Sequence, residues 1–165
     1  MSKIIAIGGV SRSGKTSLAY WLHQQLPNSM VLSQDNFVLP EHLIPQIKER
    51  TDWEHPDSIN WPAWHKAIES NIPDCDYLIL EGLFAFQKSA QPIRVTYQYY
   101  LSISREEFLE EREKEQRWGY EPLWFIEHVW KSHFVYGLPE QQHNVLKYYS
   151  ISPADYQEIL KQVTS

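Results

Sequence analysis

The chain is 165 residues long, which predicts one domain (residues 1–165), and its 42% hydrophobic and 22% charged residues exclude a disordered polymer. A net charge of −6 argues against a nucleic-acid partner, which would favour a basic face. The single cysteine, Cys75, excludes an internal disulfide and a cysteine-based zinc site, and no apolar run reaches the roughly 18 residues of a membrane helix. The first strand begins at once, so no signal peptide and no membrane are expected, and a cytoplasmic, reducing setting is the default.

Lys3-Ile4-Ile5-Ala6-Ile7-Gly8 is a short β-branched apolar run and predicts a buried strand. Next comes Gly9-Val10-Ser11-Arg12-Ser13-Gly14-Lys15-Thr16, which matches G-x-x-x-x-G-K-[ST]. This pattern is a phosphate-binding loop. Its backbone N–H groups face phosphate oxygens, its Lys reaches the β- and γ-phosphates, and its Ser/Thr hydroxyl ligates Mg²⁺. Leu18, Leu22 and Leu26 then recur at helical spacing from Thr16 to Leu26, and Pro27 stops the helix. The helix N-terminus adds partial positive charge where phosphates would sit. The candidate nucleotide-binding set is therefore Gly9 to Thr16 together with Ser17. A Gly-rich turn opening an ordinary helix is the bland alternative.

Ser29 to Ser33 predicts a second strand that ends at Gln34-Asp35-Asn36-Phe37. Residues 38–62 are rich in Pro, charge and Trp and predict a long excursion, with a helical turn over Gln46 to Arg50. Asn60 is placed to cap a helix carrying Trp61, Trp64 and Ile68 on one side. Tyr77 to Leu80 predicts a buried strand followed by Glu81-Gly82, and Tyr97 to Ile103 another. Ser104-Arg105-Glu106-Glu107 is a capping-box pattern opening a charged helix to about Arg117, the core of a lid over about residues 104–121. Pro122 starts a helix with a stripe of Leu123, Ile126, Trp130 and Phe134. Val145 to Ile151 predicts the last strand and Pro153 to Val163 the closing helix. This alternation predicts an α/β fold of the P-loop NTPase type, a parallel sheet flanked by helices on both faces, with a mobile lid helix.

In such a sheet, ligands bind beyond the carboxyl ends of the strands. The phosphate-binding loop, Asp35 and Glu81 all fall at such ends. Phosphoryl transfer needs clamped phosphates, a placed Mg²⁺ and an oriented acceptor hydroxyl. Lys15 and the loop amides supply the clamp, and Thr16 a metal contact. Asp35 is the candidate acceptor of the hydroxyl proton and a holder of metal-bound water. Its alternative role is a turn cap. Glu81 is a metal-facing carboxylate, or else an N-cap or a salt-bridge partner. The seven histidines include no pair at metal-binding i, i+4 spacing, and His55 and His128 are read as structural.

Several segments resemble one family. Val31-Leu32-Ser33-Gln34-Asp35-Asn36-Phe37 is similar to the Ser-Gln-Asp-Asp-Phe segment of nicotinamide riboside kinases, members of the uridine-kinase-like group of P-loop kinases. Leu78 to Phe86 resembles their Ile-Ile-Glu-Gly run, and Trp53 to Asn60 resembles a segment shared with uridine kinases. Tyr100-Leu101-Ser102-Ile103 before a charged helix, and then His128-Val129-Trp130, also look like that family.

The resemblance implies transfer of the ATP γ-phosphate, with Mg²⁺, to the 5′-hydroxyl of a small-molecule riboside. Nicotinamide riboside comes first, with uridine, cytidine or another small metabolite as alternatives. Asp35 matches the base and magnesium-linked carboxylate. Trp53 matches a stacking aromatic, Glu54 the carboxylate on the ribose hydroxyls, and Arg112 a lid arginine near the moving phosphate. Asn36 and Phe37 join the substrate-binding set. Three departures stand out. Glu54 is longer than the family Asp. Asn36 replaces a second Asp. The lid Glu110-Glu111-Arg112-Glu113-Lys114-Glu115 lacks the family's Arg cluster, leaving Arg117 as a substitute nucleotide contact. A nucleotide-binding regulatory module without catalysis is the competing reading from another class.

Overall fold

The computed structural model describes residues 1–115, 119–140 and 144–165. Five parallel strands form the central sheet: β1 (Lys3–Gly9), β2 (Ser29–Ser33), β5 (Tyr77–Glu81), β6 (Tyr97–Ser102) and β7 (Val145–Tyr149). Their spatial order is β2-β5-β1-β6-β7. The first strand therefore lies in the middle, and the chain winds outward from it in both directions.

Alternation along β1 divides the core. Ile5 and Ile7 point to the face covered by α1 (Lys15–Gln25) and α5 (Pro153–Thr164), where they meet Leu18, Leu22, Ile159 and Val163. Ile4 points to the opposite face and packs with Leu78, Leu80, and Trp64 and Ile68 of α2 (Trp61–Asn71). Both faces are buried, so the strands read as continuous apolar runs. Asn60 caps α2, its side-chain oxygen accepting from the Ala63 N–H at 3.1 Å. Ser152 and Asp155 close a capping box at the start of α5.

A third cluster supports the lid. Val10, Ile103 and Phe108 of α3 (Arg105–Lys114) pack with Phe125 and Val129 of α4 (Leu123–Ser132). Three sequence expectations change here. Gln46 to Arg50 is no helical turn: β3 (Gln46–Ile47) and β4 (Arg50–Thr51) pair as a small antiparallel hairpin, with Lys48 at φ 52° in its bend. The expected apolar stripe of α4 is out of phase, since Phe125 and Val129 are buried while Leu123 and Phe134 are exposed. Phe134 lies in a π-helical turn, His133–Gly137, whose angular step differs from that of the α-helix before it. The lid helix ends at Lys114; the expected contact Arg117 lies outside the described residues. Among the described residues, no helix is long and apolar enough to cross a membrane.

Candidate active site

The phosphate-binding loop bends between β1 and α1 under tight steric control. Gly9 has φ 142°, and a Cβ there would collide with the Leu101 carbonyl oxygen of β6. The close approach is used: the Val10 N–H donates to that carbonyl at 3.0 Å. Lys15 Nζ donates to the Val10 carbonyl at 2.9 Å and so curls over the loop. Burial lowers the Lys15 pKa, and Glu81, Asp35 and Glu54 oppose that shift in decreasing order. Lys15 thus shares one cleft with three carboxylates from three separate parts of the chain, each of which favours its charged form.

Glu81 ends β5 and is almost fully buried. Thr16 Oγ1 donates to its Oε1 at 3.2 Å, and Ser33 also hydrogen-bonds it. Burial raises the Glu81 pKa, with the Ser33 bond and Lys15 pulling the other way. Asp35 sits in the 3₁₀ turn Gln34–Phe37 directly after β2. Gln34 braces that turn, its Oε1 accepting from the Phe84 N–H at 2.9 Å.

These groups line one cleft of about 1570 Å³. A pocket for one small ligand is typically about 300–1,000 Å³, so the volume suits two ligands side by side. Ser11, Arg12, Gly14, Lys15, Thr16 and Ser17 line it from the loop, and Trp53 and Glu54 from the excursion. Asp35 and Glu81 lie on the wall as well, and Arg112 and Glu121 come from the lid side. Gly9, Val10 and Ser13 shape the loop from behind. Asn36 and Phe37 are not brought to the cleft; Phe37 packs edge-on against Trp64 with ring centroids 5.2 Å apart.

Trp53 is 41% exposed and lines the cleft, which leaves part of its indole open to a ligand there. Burial pushes Glu54 up to about 7, against the pull of Arg112 and Lys15. The lid lies against the loop. Arg12 Nη1 reaches Glu115 Oε2 at 2.8 Å and its Nη2 reaches Glu111 Oε2 at 3.5 Å. Arg112 Nη1 donates to Ser11 Oγ at 3.3 Å and its Nη2 to Glu121 Oε2 at 2.9 Å.

Four buried side-chain atoms lack partners among the described residues: Ser13 Oγ, Gln34 Nε2, Arg112 Nε and His133 Nδ1. Buried polar groups are almost always satisfied, and Ser13 Oγ and Arg112 Nε, donors in the loop and on α3, are placed for an absent acceptor. Phosphate oxygens fit that need at the loop and beneath the lid. Thr16, Glu81 and Asp35 fit Mg²⁺, an oxygen-seeking ion that keeps waters and phosphates among its ligands. Among the described residues no cluster of three His, Cys, Asp or Glu could by itself hold a metal ion.

Sequence reasoning missed Glu121, the buried Asp52 and the contact His128 makes with it. Asp52 and His128 are 76 positions apart, and Glu121 is nine residues from Arg112, beyond the i, i+4 reach of a helical pattern, so no local pattern carries the signal.

No protein-family model matches the chain. Nicotinamide riboside kinase 1 of Rattus norvegicus is 33% identical over 154 residues, spanning 77% of this chain and 74% of that protein. Nicotinamide riboside kinase 2 of Mus musculus is 29% identical over 167 residues, spanning 88% and 85%. A uridine kinase of Mycoplasma genitalium matches 86 residues at 31%, covering 46% of this chain and 40% of its own. Among solved structures, a possible uridine kinase from Bacillus stearothermophilus superposes with a TM-score of 0.55 at 19% identity, covering 82% of this chain and 80% of that one. A sugar kinase from Janibacter superposes with a TM-score of 0.62 at 15% identity, covering 99% and 92%. The fold, with this loop after its central strand, is that of the P-loop kinases. Within them, the chain belongs to the nicotinamide riboside kinase family of the uridine-kinase-like group.

Proposed function

We propose that the protein, as one kinase domain over residues 1–165, transfers the γ-phosphate of ATP to the 5′-hydroxyl of a riboside, with nicotinamide riboside as the first choice and nicotinamide mononucleotide as its product. The observation that carries this reading is one cleft lined together by Lys15 and Thr16 of the phosphate-binding loop and by the carboxylates of Asp35, Glu54 and Glu81. Lys15, Ser13 and the loop amides hold the triphosphate. Mg²⁺, when bound through Thr16, Glu81 and Asp35, neutralises charge on the phosphates. Asp35 orients the acceptor hydroxyl and takes its proton. Arg112 meets the negative charge that develops as the phosphoryl group moves.

At the acceptor end, the Glu54 carboxylate can accept both vicinal ribose hydroxyls. Trp53 offers a face to a flat ring, more strongly to a cationic pyridinium. The arm adds Glu41 and Glu49 to the cleft wall against the single cation Arg50, which further favours a positively charged acceptor. The partial match to a uridine kinase supports a second reading, a pyrimidine riboside as acceptor.

Incubation of pure protein with ATP-Mg²⁺ and a riboside panel separates the two. Formation of nicotinamide mononucleotide at the highest kcat/KM supports the first reading. Turnover of uridine or cytidine without nicotinamide riboside replaces it with the second. ATP binding with no acceptor phosphorylated favours a regulatory module.

A further inference from the structure

The excursion is fastened to α4 by every second residue. Lys48 Nζ sits 4.3 Å from the Trp124 ring centroid, and the Arg50 guanidinium lies 4.8 Å from that of Phe125. Two residues further, Asp52 Oδ1 accepts from His128 Nε2 at 2.8 Å. Three residues thus contact α4 from the hairpin and its exit: Lys48 from the bend, Arg50 from β4 and Asp52 just beyond it. The same Asp52 Oδ1 also accepts the backbone N–H of Glu54 at 3.2 Å. One carboxylate oxygen therefore ties a helix side chain to the backbone of the residue assigned to the ribose.

The next anchor lies on the far side of that residue. The His55 ring packs against Tyr136 with centroids 5.4 Å apart. Trp53 and Glu54 are thus the two residues between fixed points, and both face the cleft. Asp52 itself is buried and contacts no cleft space, so its carboxylate has no direct part in binding.

We propose that Asp52 and His128 are positioning residues for the phosphate acceptor, a latch that holds the Trp53–Glu54 segment on α4 in its riboside-receiving geometry. The inference rests on the riboside-kinase reading above. A hydrogen bond assisted by charge and largely withdrawn from water is strong enough that its loss lets the arm relax, while the phosphate-binding loop, built on β1 and α1, stays in place.

The test is steady-state kinetics on His128→Ala, His128→Gln, Asp52→Asn and the double variant His128→Ala/Asp52→Asn, with melting curves alongside. The riboside KM of His128→Ala is expected to rise roughly tenfold or more, while the ATP KM and kcat change less than about threefold. Gln keeps an N–H donor at the right reach, so His128→Gln recovers much of the loss. The double variant is expected to be no worse than His128→Ala, because Asp52→Asn removes only the charge that strengthens a bond His128→Ala has already abolished. Should His128→Ala fail to fold, His128→Gln and Asp52→Asn carry the comparison by their shapes.

An unchanged riboside KM in both His128→Ala and Asp52→Asn overturns the latch. So does an equal loss in ATP KM and kcat, or a His128→Gln as impaired as His128→Ala. These outcomes presuppose a wild-type enzyme that phosphorylates a riboside. A wild type that phosphorylates none overturns the functional reading, and the latch with it.

Discussion

Arg112 is held by Glu121 at 2.9 Å, and both side chains are nearly buried. The lid arginine thus has a carboxylate partner while its remaining Nη1 leans on Ser11 of the phosphate-binding loop. A buried pair of this kind is costly to break from one side only, because the survivor keeps its charge without a partner. Arg112→Ala is expected to lower kcat by about 10²–10³-fold, as for loss of a group that stabilises transferring phosphate. It should also destabilise the lid. Arg112→Ala/Glu121→Gln removes the stranded charge, so thermal stability should recover while kcat does not. Parallel recovery of both in stopped-time assays and melting curves would show that Arg112 serves structure alone.

Asp35 and Lys15 separate chemistry from binding. Asp35→Ala removes the proton acceptor but leaves the loop intact. Its kcat is expected to fall by roughly 10²–10⁴-fold, with the ATP dissociation constant changed only severalfold. Lys15→Ala should weaken both, since Lys15 sits within the loop that holds the phosphates. Isothermal titration with ATP beside single-turnover assays distinguishes the variants. Near-wild-type turnover in Asp35→Ala would remove this residue from the mechanism.

Glu54 gives the site a pH signature. Burial raises its pKa from 4.5 to about 7, so the neutral form is the favoured one in slightly acidic solution. Accepting two hydroxyls needs the carboxylate, so the riboside KM should fall as pH rises through about 7, and Glu54→Gln should flatten that dependence. The stability effect has the opposite sense. Between pH 4.5 and 7 the unfolded chain gives up this proton while the folded chain keeps it, so folding stability from this group declines as pH rises across that window. Glu54→Gln should therefore melt a few degrees higher than wild type at pH 8, by roughly 2–4 °C per kcal/mol, and about equally at pH 4.5. An equal difference at both pH values would locate the effect in packing instead.

The parts of this molecule that local chemistry governs were legible in its sequence. The loop from Gly9 to Thr16, the Asn60 cap, the Pro153 start of the last helix and the apolar strands all depend on residues within a few positions of each other. The hairpin at Gln46–Thr51 was not legible, because its two short strands owe their existence to the surface of α4 on which Lys48 and Arg50 lie. Phe134 leaves the buried face of α4 because it lies in the π-helical turn after Ser132, while Leu123 is exposed as the first residue of the helix. In the site, the strand-end positions of Asp35 and Glu81 follow from parallel topology. The Asp52–His128 contact joins residues 76 positions apart, and nothing local signals it. Phe37 was drawn into the substrate set by its neighbour Asp35, although the 3₁₀ turn points it at Trp64.

Gly82 supplies a last prediction, because it locks two strand ends together. It follows Glu81 with φ 154°, and a Cβ there would overlap the Gln34 side chain, lying 2.6 Å from Cδ and 2.7 Å from Cβ. Cβ is fixed to the backbone, so rotation of Gln34 alone cannot relieve the clash. The turn carrying Gln34 and Asp35 must shift, and with it the bond from the Phe84 N–H to Gln34. Gly82→Ala is expected to cost about 2–4 kcal/mol, from overpacking and from a strained backbone together. Because Asp35 moves with the turn, kcat should drop at least tenfold even at temperatures where the variant is fully folded, a larger change than in ATP affinity, since the loop amides and Lys15 are built on β1 and α1. Urea unfolding and single-turnover assays check the two halves separately. A variant as stable and as active as wild type would mean that the Gln34 turn is freer than its contacts with Gly82 and Phe84 require.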